Sequence, residues 1–367
     1  MNAPRIAVSG LHRGENPQPG AGIVRSLRRR FPDAFIVGLS YDVMESGIYV
    51  EGGPDEVHLM PFPTAGGAAL LDRLDAIRKR TPFDFFIPTL DAEIEVFVSL
   101  TEQLEQRGIK TCLPSVDVLK RRAKQNLPAF ADKCGVRIPE TRLASDVVNA
   151  CRAGDELGYP LVVKGPYYEA KIVHNVAQLS AAATHLLSEW GSPLILQRFV
   201  SGSEFNVLGV GDGTGNWLGH CCLRKTQLSD KGKGLSGITV TDPRLSELCA
   251  GLIRELKWPG PFEIELIREE LIGDYVLVEI NPRFPAWVDF PSMIGANFAA
   301  LLVDMLRLDH LPASLPACAP GSFYIRHQIE VVGDINRYAD LLKSESGALA
   351  GLIDDVTTPA STTKVLP

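Results

Sequence analysis

Two apolar segments, Gly-Pro-Phe-Glu-Ile-Glu-Leu-Ile (260–267) and Tyr-Val-Leu-Val-Glu-Ile-Asn-Pro-Arg (275–283), flank a short polar turn. Period-two alternation on both sides of a turn predicts a β-hairpin. Alternation then sets Glu263 and Glu265 on one face of the first strand, and Glu279 and Asn281 on one face of the second. Like charges buried side by side are costly unless something positive sits between them. Mg²⁺ takes carboxylate and amide oxygens as ligands and commonly bridges to nucleotide phosphates. The hairpin therefore reads as a platform for a metal-bound nucleotide. A solvated acidic face is the plain alternative. Against it stands the run Glu279-Ile280-Asn281-Pro282-Arg283, where acid, amide and cation follow at two-residue steps.

Upstream, residues 5–110 alternate strands and helices. Strands are expected at Arg5–Ser9, Ala34–Leu39 and Phe83–Pro88, and helices at Ile23–Arg30, Leu70–Lys79 and Ala92–Arg107. This βαβα order predicts a parallel sheet covered by helices. Ligands bind at the carboxyl ends of such strands. That directs attention to the glycine-rich loop after Ser9 (Gly10, Gly14, Gly20, Gly22) and to Pro88–Glu93. The glycines fit neither G-x-G-x-x-G nor a P-loop; they serve an anion or simply a tight turn. A helical segment over Val116–Cys134 leads to a second α/β region. There, strands are expected at Leu161–Lys164, Leu194–Val200, Phe205–Gly211 and Trp217–Cys222, with helices at Ala177–Trp190 and Leu245–Leu256. Arg224–Gly237 looks polar and mobile, and the last residues of the chain are expected to be poorly ordered.

At 367 residues the chain has room for two or three domains. Its net charge of −7 argues against a nucleic-acid partner, which would require a basic surface. Seven scattered cysteines form no Cys-x-x-Cys pair, so neither a zinc site nor a disulfide framework is indicated. No apolar run is long enough for a signal-peptide core or a membrane span. A soluble cytoplasmic protein is expected.

Taken with the hairpin, the second region resembles the ATP-grasp superfamily, in the style of the carbamoyl-phosphate-synthase large-chain-like carboxylate–amine ligases. The resemblance implies an N-terminal α/β domain over 1–111 and an ATP-grasp domain over 112–310. The latter divides into a central lobe at about 125–200 and a C-terminal lobe at about 201–310, with mixed α+β lobes; 311–367 is an extension. It implies ATP with Mg²⁺ or Mn²⁺. Glu265, Glu279 and Asn281 match the metal ligands. Lys124 resembles the first nucleotide lysine, and Lys164, ending an apolar strand, a phosphate contact. Gln197, Phe199 and Val200 resemble the hinge beside the adenine, with Glu204 on the ribose. Arg283 falls where a cation would hold the γ-phosphate or the acyl-phosphate; a salt bridge to a neighbouring acid is its other reading. Arg224 and Lys225 are candidate substrate or transition-state contacts, with a surface role equally open. One departure is evident: Gly165-Pro166-Tyr167-Tyr168-Glu169-Ala170-Lys171 has a single glycine where the family has a glycine-rich loop, leaving Lys171 to supply charge.

The activity implied is ATP-dependent ligation. A carboxylate is activated as an acyl-phosphate and coupled to an amine, with release of ADP and phosphate. Alternatives are a carboxylate or carbamate kinase that stops at the phosphate, and an ATP-binding module without catalysis. Substrates would be small-molecule or peptide carboxylates and amines, with no membrane partner; a homodimer is compatible with all of this.

Overall fold

A computed structural model of the chain describes residues 3–12, 17–165, 170–229, 232–308, 310–327, 330–333 and 335–348. Gly14, residues 166–169 of the single-glycine loop, and the end of the chain lie outside these.

The N-terminal region is the expected parallel sheet. Strands β1 (Arg5–Ser9), β2 (Phe35–Ser40), β3 (Glu56–Leu59) and β4 (Phe85–Ile87) lie in the order β3-β2-β1-β4, all parallel. The helix expected over 92–107 is two, Asp91–Ser99 and Thr101–Gln106. The Ser99 and Thr101 hydroxyls donate to the carbonyls of Val96 and Val98 at the junction, competing with the backbone ladder there.

Two antiparallel sheets follow. The smaller contains β5 (Thr141–Ala144), β6 (Leu161–Lys164), β7 (Ala170–Val173) and β8 (Leu194–Arg198), in the order β5-β8-β6-β7. Helices Val147–Leu157 and Val176–Trp190 cover one face, where Leu161, Val163, Val173, Leu194 and Leu196 form the core. Their first turns are capped by Asp146 and Asn175, which accept from the Asn149 and Gln178 N–H groups.

The larger sheet holds β9 (Gly202–Asp212), β10 (Trp217–Leu228), β11 (Gly234–Thr239), β12 (Pro259–Glu269), β13 (Tyr275–Asn281) and β14 (Phe323–Ile325), in the order β13-β12-β9-β10-β11-β14. Helix Pro243–Leu256 packs on one face. Its stripe of Leu245, Leu248, Cys249, Leu252, Ile253 and Leu256 meets Val207, Phe262, Ile264, Leu266 and Leu277 in one core. The even residues of β12 thus go to this core, and Glu263 and Glu265 go to the other face. Most of the stretch 224–237 is strand, with β10 running to Leu228 and β11 starting at Gly234; residues 230–231 lie outside the described residues. Its polar residues belong to a hairpin that has a polar cleft on one side.

The segment 116–134 is also interrupted, forming helices Val116–Arg122 and Leu127–Lys133 with a turn at 123–126. Pro128 at the start of the second helix suits a new beginning rather than a continuing ladder. The extension after 310 is woven into both ends of the molecule. β14 joins the large sheet, and β15 (Ser346–Ala348) adds antiparallel to β3 at the edge of the N-terminal sheet. There the buried His58 side chain bridges Ser346 (2.8 Å) and Thr81 (3.2 Å). Among the described residues, no helix is long and apolar enough to cross a membrane.

Candidate active site

The hairpin register is the one that the alternation predicts: Glu263 pairs with Asn281 and Glu265 with Glu279. Directly opposed residues on one face bring their Cβ atoms to about 5 Å. The other neighbour, β9, pairs Asn206 with Glu265 and Glu204 with Ile267. Glu204, Asn206, Glu263, Glu265, Glu279 and Asn281 consequently share one face, turned away from the helix core.

Each acid has a partner of its own kind. Glu263, nearly buried, receives Asn206 and Trp287 Nε1 (3.1 Å) on one oxygen, and Asn281 (3.3 Å) and Arg283 (3.1 Å) on the other. With both oxygens occupied, it positions its neighbours. Glu265 receives Asn281 (3.1 Å) and Lys225 Nζ (3.2 Å), and the same ammonium lies 2.8 Å from Glu204. Burial works to raise the Glu265 carboxyl, but Lys225, Lys233 and Arg283 outweigh it and hold the group at about 2. Burial would conversely depress Lys225, but Glu265 and Glu204 keep it charged well above its ordinary range. Glu279 faces Lys124 at 3.4 Å. Lys124 reaches it from the turn between the two short helices, not from within a helix. The break in 116–134 is therefore what brings this lysine to the site.

Arg283 joins the cluster to the N-terminal domain through Asp91, at 3.2 Å. Burial acts to raise the Asp91 carboxyl, but Arg283, Arg122 and Lys124 hold it below the ordinary carboxylate range. Of the Pro88–Glu93 loop, Asp91 thus faces the cluster. Glu93 instead is buried and accepts from Ser9, Tyr41, Thr89 and Leu90, tying the ends of β1, β2 and β4 together.

The small sheet presents its helix-free face. Lys164 pairs across β6 with Ile195 and Ala170, on the same face as Val162 and Gln197. It makes no ion pair or hydrogen bond with a described residue. Burial lowers its pKa, and the Lys124 charge adds to this against the pull of Glu279 and Glu265. Gln197 donates to Thr141 Oγ1 at 3.1 Å. Phe199 is half-exposed at the crossing into β9, its N–H bonded to the Pro160 carbonyl (3.2 Å). The next residue, Val200, continues this crossing between the two sheets.

Two expected residues are not brought in. Arg224 pairs with Phe205, on the face that helix Pro243–Leu256 covers, and bonds Ser203 at 3.2 Å. Of two consecutive cations on a strand only one can face the cleft, and that one is Lys225. Lys171 pairs with Val163, on the helix-covered face of the small sheet, and so leaves β7 opposite to Lys164. Three contributors were not singled out from sequence as site residues: Glu263, Asn206 and Asp91. Glu263 carried a signal as the acid two positions before Glu265, and Asp91 as a member of the Pro88–Glu93 loop.

Two carboxylates with an adjacent amide suit a Mg²⁺ that keeps its remaining positions for water and phosphate oxygens. Among the described residues no group of three His, Cys, Asp or Glu side chains is disposed to hold a metal on its own. A two-carboxylate site completed by a ligand fits that finding. Lys225 lies against Glu265 of this row and Lys124 against Glu279.

An N-terminal parallel sheet followed by two antiparallel sheets, with a row of carboxylate and amide oxygens on one and Lys164 on the other, is the arrangement of the ATP-grasp fold. In sequence the chain is similar to carbamoyl phosphate synthase large chains. It is 27% identical over 241 residues to that of Pyrococcus furiosus, covering 62% of this chain and 22% of the relative. It is 25% identical over 295 residues to that of Archaeoglobus fulgidus, covering 72% and 27%. The chain spans about a quarter of the length of the curated relatives it matches. No family model matches. Among solved structures, biotin carboxylase of Campylobacter jejuni in complex with β-γ-ATP has a TM-score of 0.66 at 15% identity, covering 85% of this chain and 73% of that one. The L-amino acid ligase of Bacillus licheniformis has a TM-score of 0.62 at 15% identity, covering 83% and 74%. The fold expected from the hairpin and its surroundings is borne out.

Proposed function

We propose that the protein is an ATP-dependent ligase that activates a substrate carboxylate as an acyl-phosphate and passes it to an amine. The observation that carries this reading is the pairing of Glu265 with Glu279, flanked by Asn281, opposite a lobe whose Lys164 makes no ion pair with a described residue and feels these two carboxylates only at longer range. A half-buried lysine placed so is suited to a ligand that brings negative charge. ATP fits, its adenine at the Gln197–Val200 crossing, its ribose near Glu204 and its phosphates at Lys164 and Lys124.

Glu265, Glu279 and Asn281 would hold the Mg²⁺, which when bound neutralises phosphate charge and aligns the oxygens for in-line transfer. Arg283, fixed by Glu263 and Asp91, stands at the edge of the acid row, where it offsets the charge that gathers on the transferred phosphoryl group. Lys225, held between Glu204 and Glu265, would add a positive charge beside the acid row where a substrate could meet it. The chain's contribution is position and charge, since phosphoryl transfer needs little covalent chemistry from the protein. The related proteins act on differing substrates, and the N-terminal domain facing Arg283 is where this chain would recognise its own.

The test is phosphate release with pairs of small carboxylates and amines, with hydroxylamine added as a trap. Amide product with ADP supports a ligase. A trapped hydroxamate without amide under any amine indicates a kinase instead, and Glu279→Gln retaining full ADP release would remove the metal assignment.

A further inference from the structure

Two buried thiols play no part in the chemistry of the cleft. Cys221 on β10 is 1% exposed, and Cys318, in the segment before β14, is 9% exposed. Both belong to one core with Leu208, Leu223 and Phe298. Hydrogen bonds on either side of Cys318 lay its segment along β10. The Leu315 N–H donates to the Leu218 carbonyl at 2.7 Å, and Thr239 Oγ1 donates to the Ala319 carbonyl at 2.7 Å. Thr239 in turn pairs with Leu223 on β10. Cys318 stands as far beyond Leu315 as Cys221 does beyond Leu218, so the two are level. Gly219 permits this close approach: an added Cβ there would lie 2.9 Å from Leu315 Cβ.

The two side chains meet. The Cys221 S–H donates to the Cys318 sulfur, which raises the Cys221 pKa, and burial raises it further. The same hydrogen bond, acting against burial, holds the Cys318 thiol below its ordinary range. Cys318 is therefore the more readily ionised sulfur, and it lies on the solvent side, between the exposed Ala317 and Ala319. Cys222 leaves β10 on the other face and meets Ser246 Oγ at 3.7 Å, in the core under helix Pro243–Leu256. Neither Cys221 nor Cys318 is in a disulfide in this structure.

We propose that Cys221 and Cys318 form a reversible disulfide, by exchange with a small-molecule disulfide, that staples the C-terminal extension to the large sheet. The Cys318 thiolate attacks one sulfur of the external disulfide, whose S–S bond breaks as one thiol leaves. The Cys221 sulfur then gives up its proton and attacks Cys318 in the mixed disulfide. The internal S–S bond forms and the second external thiol departs. Two protein thiols are oxidised, and one external disulfide is reduced to two thiols. The new bond closes a long loop of chain, from 221 to 318, and so constrains the unfolded state. It also fixes the segment that leads into β14, the edge strand paired with β11. Cys221 shares its face of β10 with Leu223 and Lys225, so the staple is anchored on the strand that carries a lysine of the cleft.

The test treats the full chain, first reduced, with oxidised glutathione at about pH 8, where thiolates form. Tryptic peptides are then mapped without reduction. The peptide carrying Cys318 is expected joined to that carrying Cys221, with the loss of two hydrogens. Cys222 lies in the same tryptic peptide as Cys221, so Cys222→Ala should cross-link like wild type and Cys221→Ala should not. Oxidation should raise the melting temperature of wild type by about 5 °C or more, an effect reversed by dithiothreitol and absent in Cys318→Ala. A Cys318 that stays a thiol, carries only glutathione, or joins any other cysteine overturns the proposal. A melting temperature that oxidation leaves unchanged overturns it too. Peptide mapping and melting of wild type decide the matter even where a variant fails to fold.

Discussion

Asp91 Oδ2 lies 3.2 Å from Arg283 Nε, so the first turn of a helix in the N-terminal domain is fastened to the end of the acidic hairpin 192 residues later. Arg283 also donates to Glu263, and Glu263 collects three further donors. The N-terminal domain is thus wired directly into the row of carboxylates. It is well placed to influence the orientation of Arg283, the residue proposed to offset the charge on the transferred group.

Asp91→Asn should separate these effects. Removing one partner of a buried ion pair costs about 3–5 kcal/mol. Because Asp91 is partly exposed, a loss of about 1–3 kcal/mol is expected. Urea unfolding followed by tryptophan fluorescence measures it. Turnover should fall more steeply than stability. A variant that keeps wild-type turnover would mean that Arg283 is held adequately by Glu263 alone.

Lys225 and Arg224 form a contrast pair. Lys225→Met leaves Glu204 and Glu265 without their cation. The metal-free protein should lose stability, and added Mg²⁺ should raise its melting temperature more than it raises that of wild type. Arg224→Ala, on the opposite face, should change turnover by no more than about twofold, as for an ordinary surface substitution. Thermal scans with and without MgCl₂, and one steady-state assay, check both.

The depressed Glu265 carboxyl predicts an acid limb. A carboxyl whose folded pKa is lowered adds stability that is complete above its unfolded pKa and lost as pH falls through the folded value. For Glu265 the window runs from the ordinary 4.5 down to about 2. Its share is on the order of 3 kcal/mol. Denaturation between pH 5 and pH 2 should show the fall, and Glu265→Gln should flatten it. An equally steep fall in that variant would assign the acid limb to other carboxyls.

Lys164 titrates in the opposite sense. Its lowered pKa means that the charged form is disfavoured in the free protein, and phosphate binding should restore the charge. Nucleotide binding at alkaline pH should therefore take up protons, visible as a binding enthalpy that varies with the ionisation enthalpy of the buffer. Lys164→Met should abolish the variation. Its persistence there would place the protonation elsewhere.

Much of this was legible in the chain itself. The hairpin could be read because period-two alternation fixes both which residues share a face and, given the short turn, which face each other. Lys164 was legible as a charge ending an apolar strand. Lys171 and Arg224 misled because facing depends on strand register, which neighbouring polar residues do not reveal. Lys225 and Arg224 differ by one position and occupy opposite faces. The Pro88–Glu93 loop could be read as a ligand loop, but the contact of its Asp91 with Arg283 could not: the partner is distant in sequence, and only the packing of two domains joins them. The return of Ser346–Ala348 to the first sheet is a long-range pairing of the same kind.

The most direct measurement is a crystal structure of the full chain with Mg²⁺ and a non-hydrolysable ATP analogue. The expected result is a metal within about 2.1 Å of oxygens from both Glu265 and Glu279 and from the triphosphate, with Lys164 on the phosphates. A nucleotide bound elsewhere, or a structure in which Lys225 still bridges Glu204 and Glu265 while the metal lies outside the hairpin, would contradict the assignment.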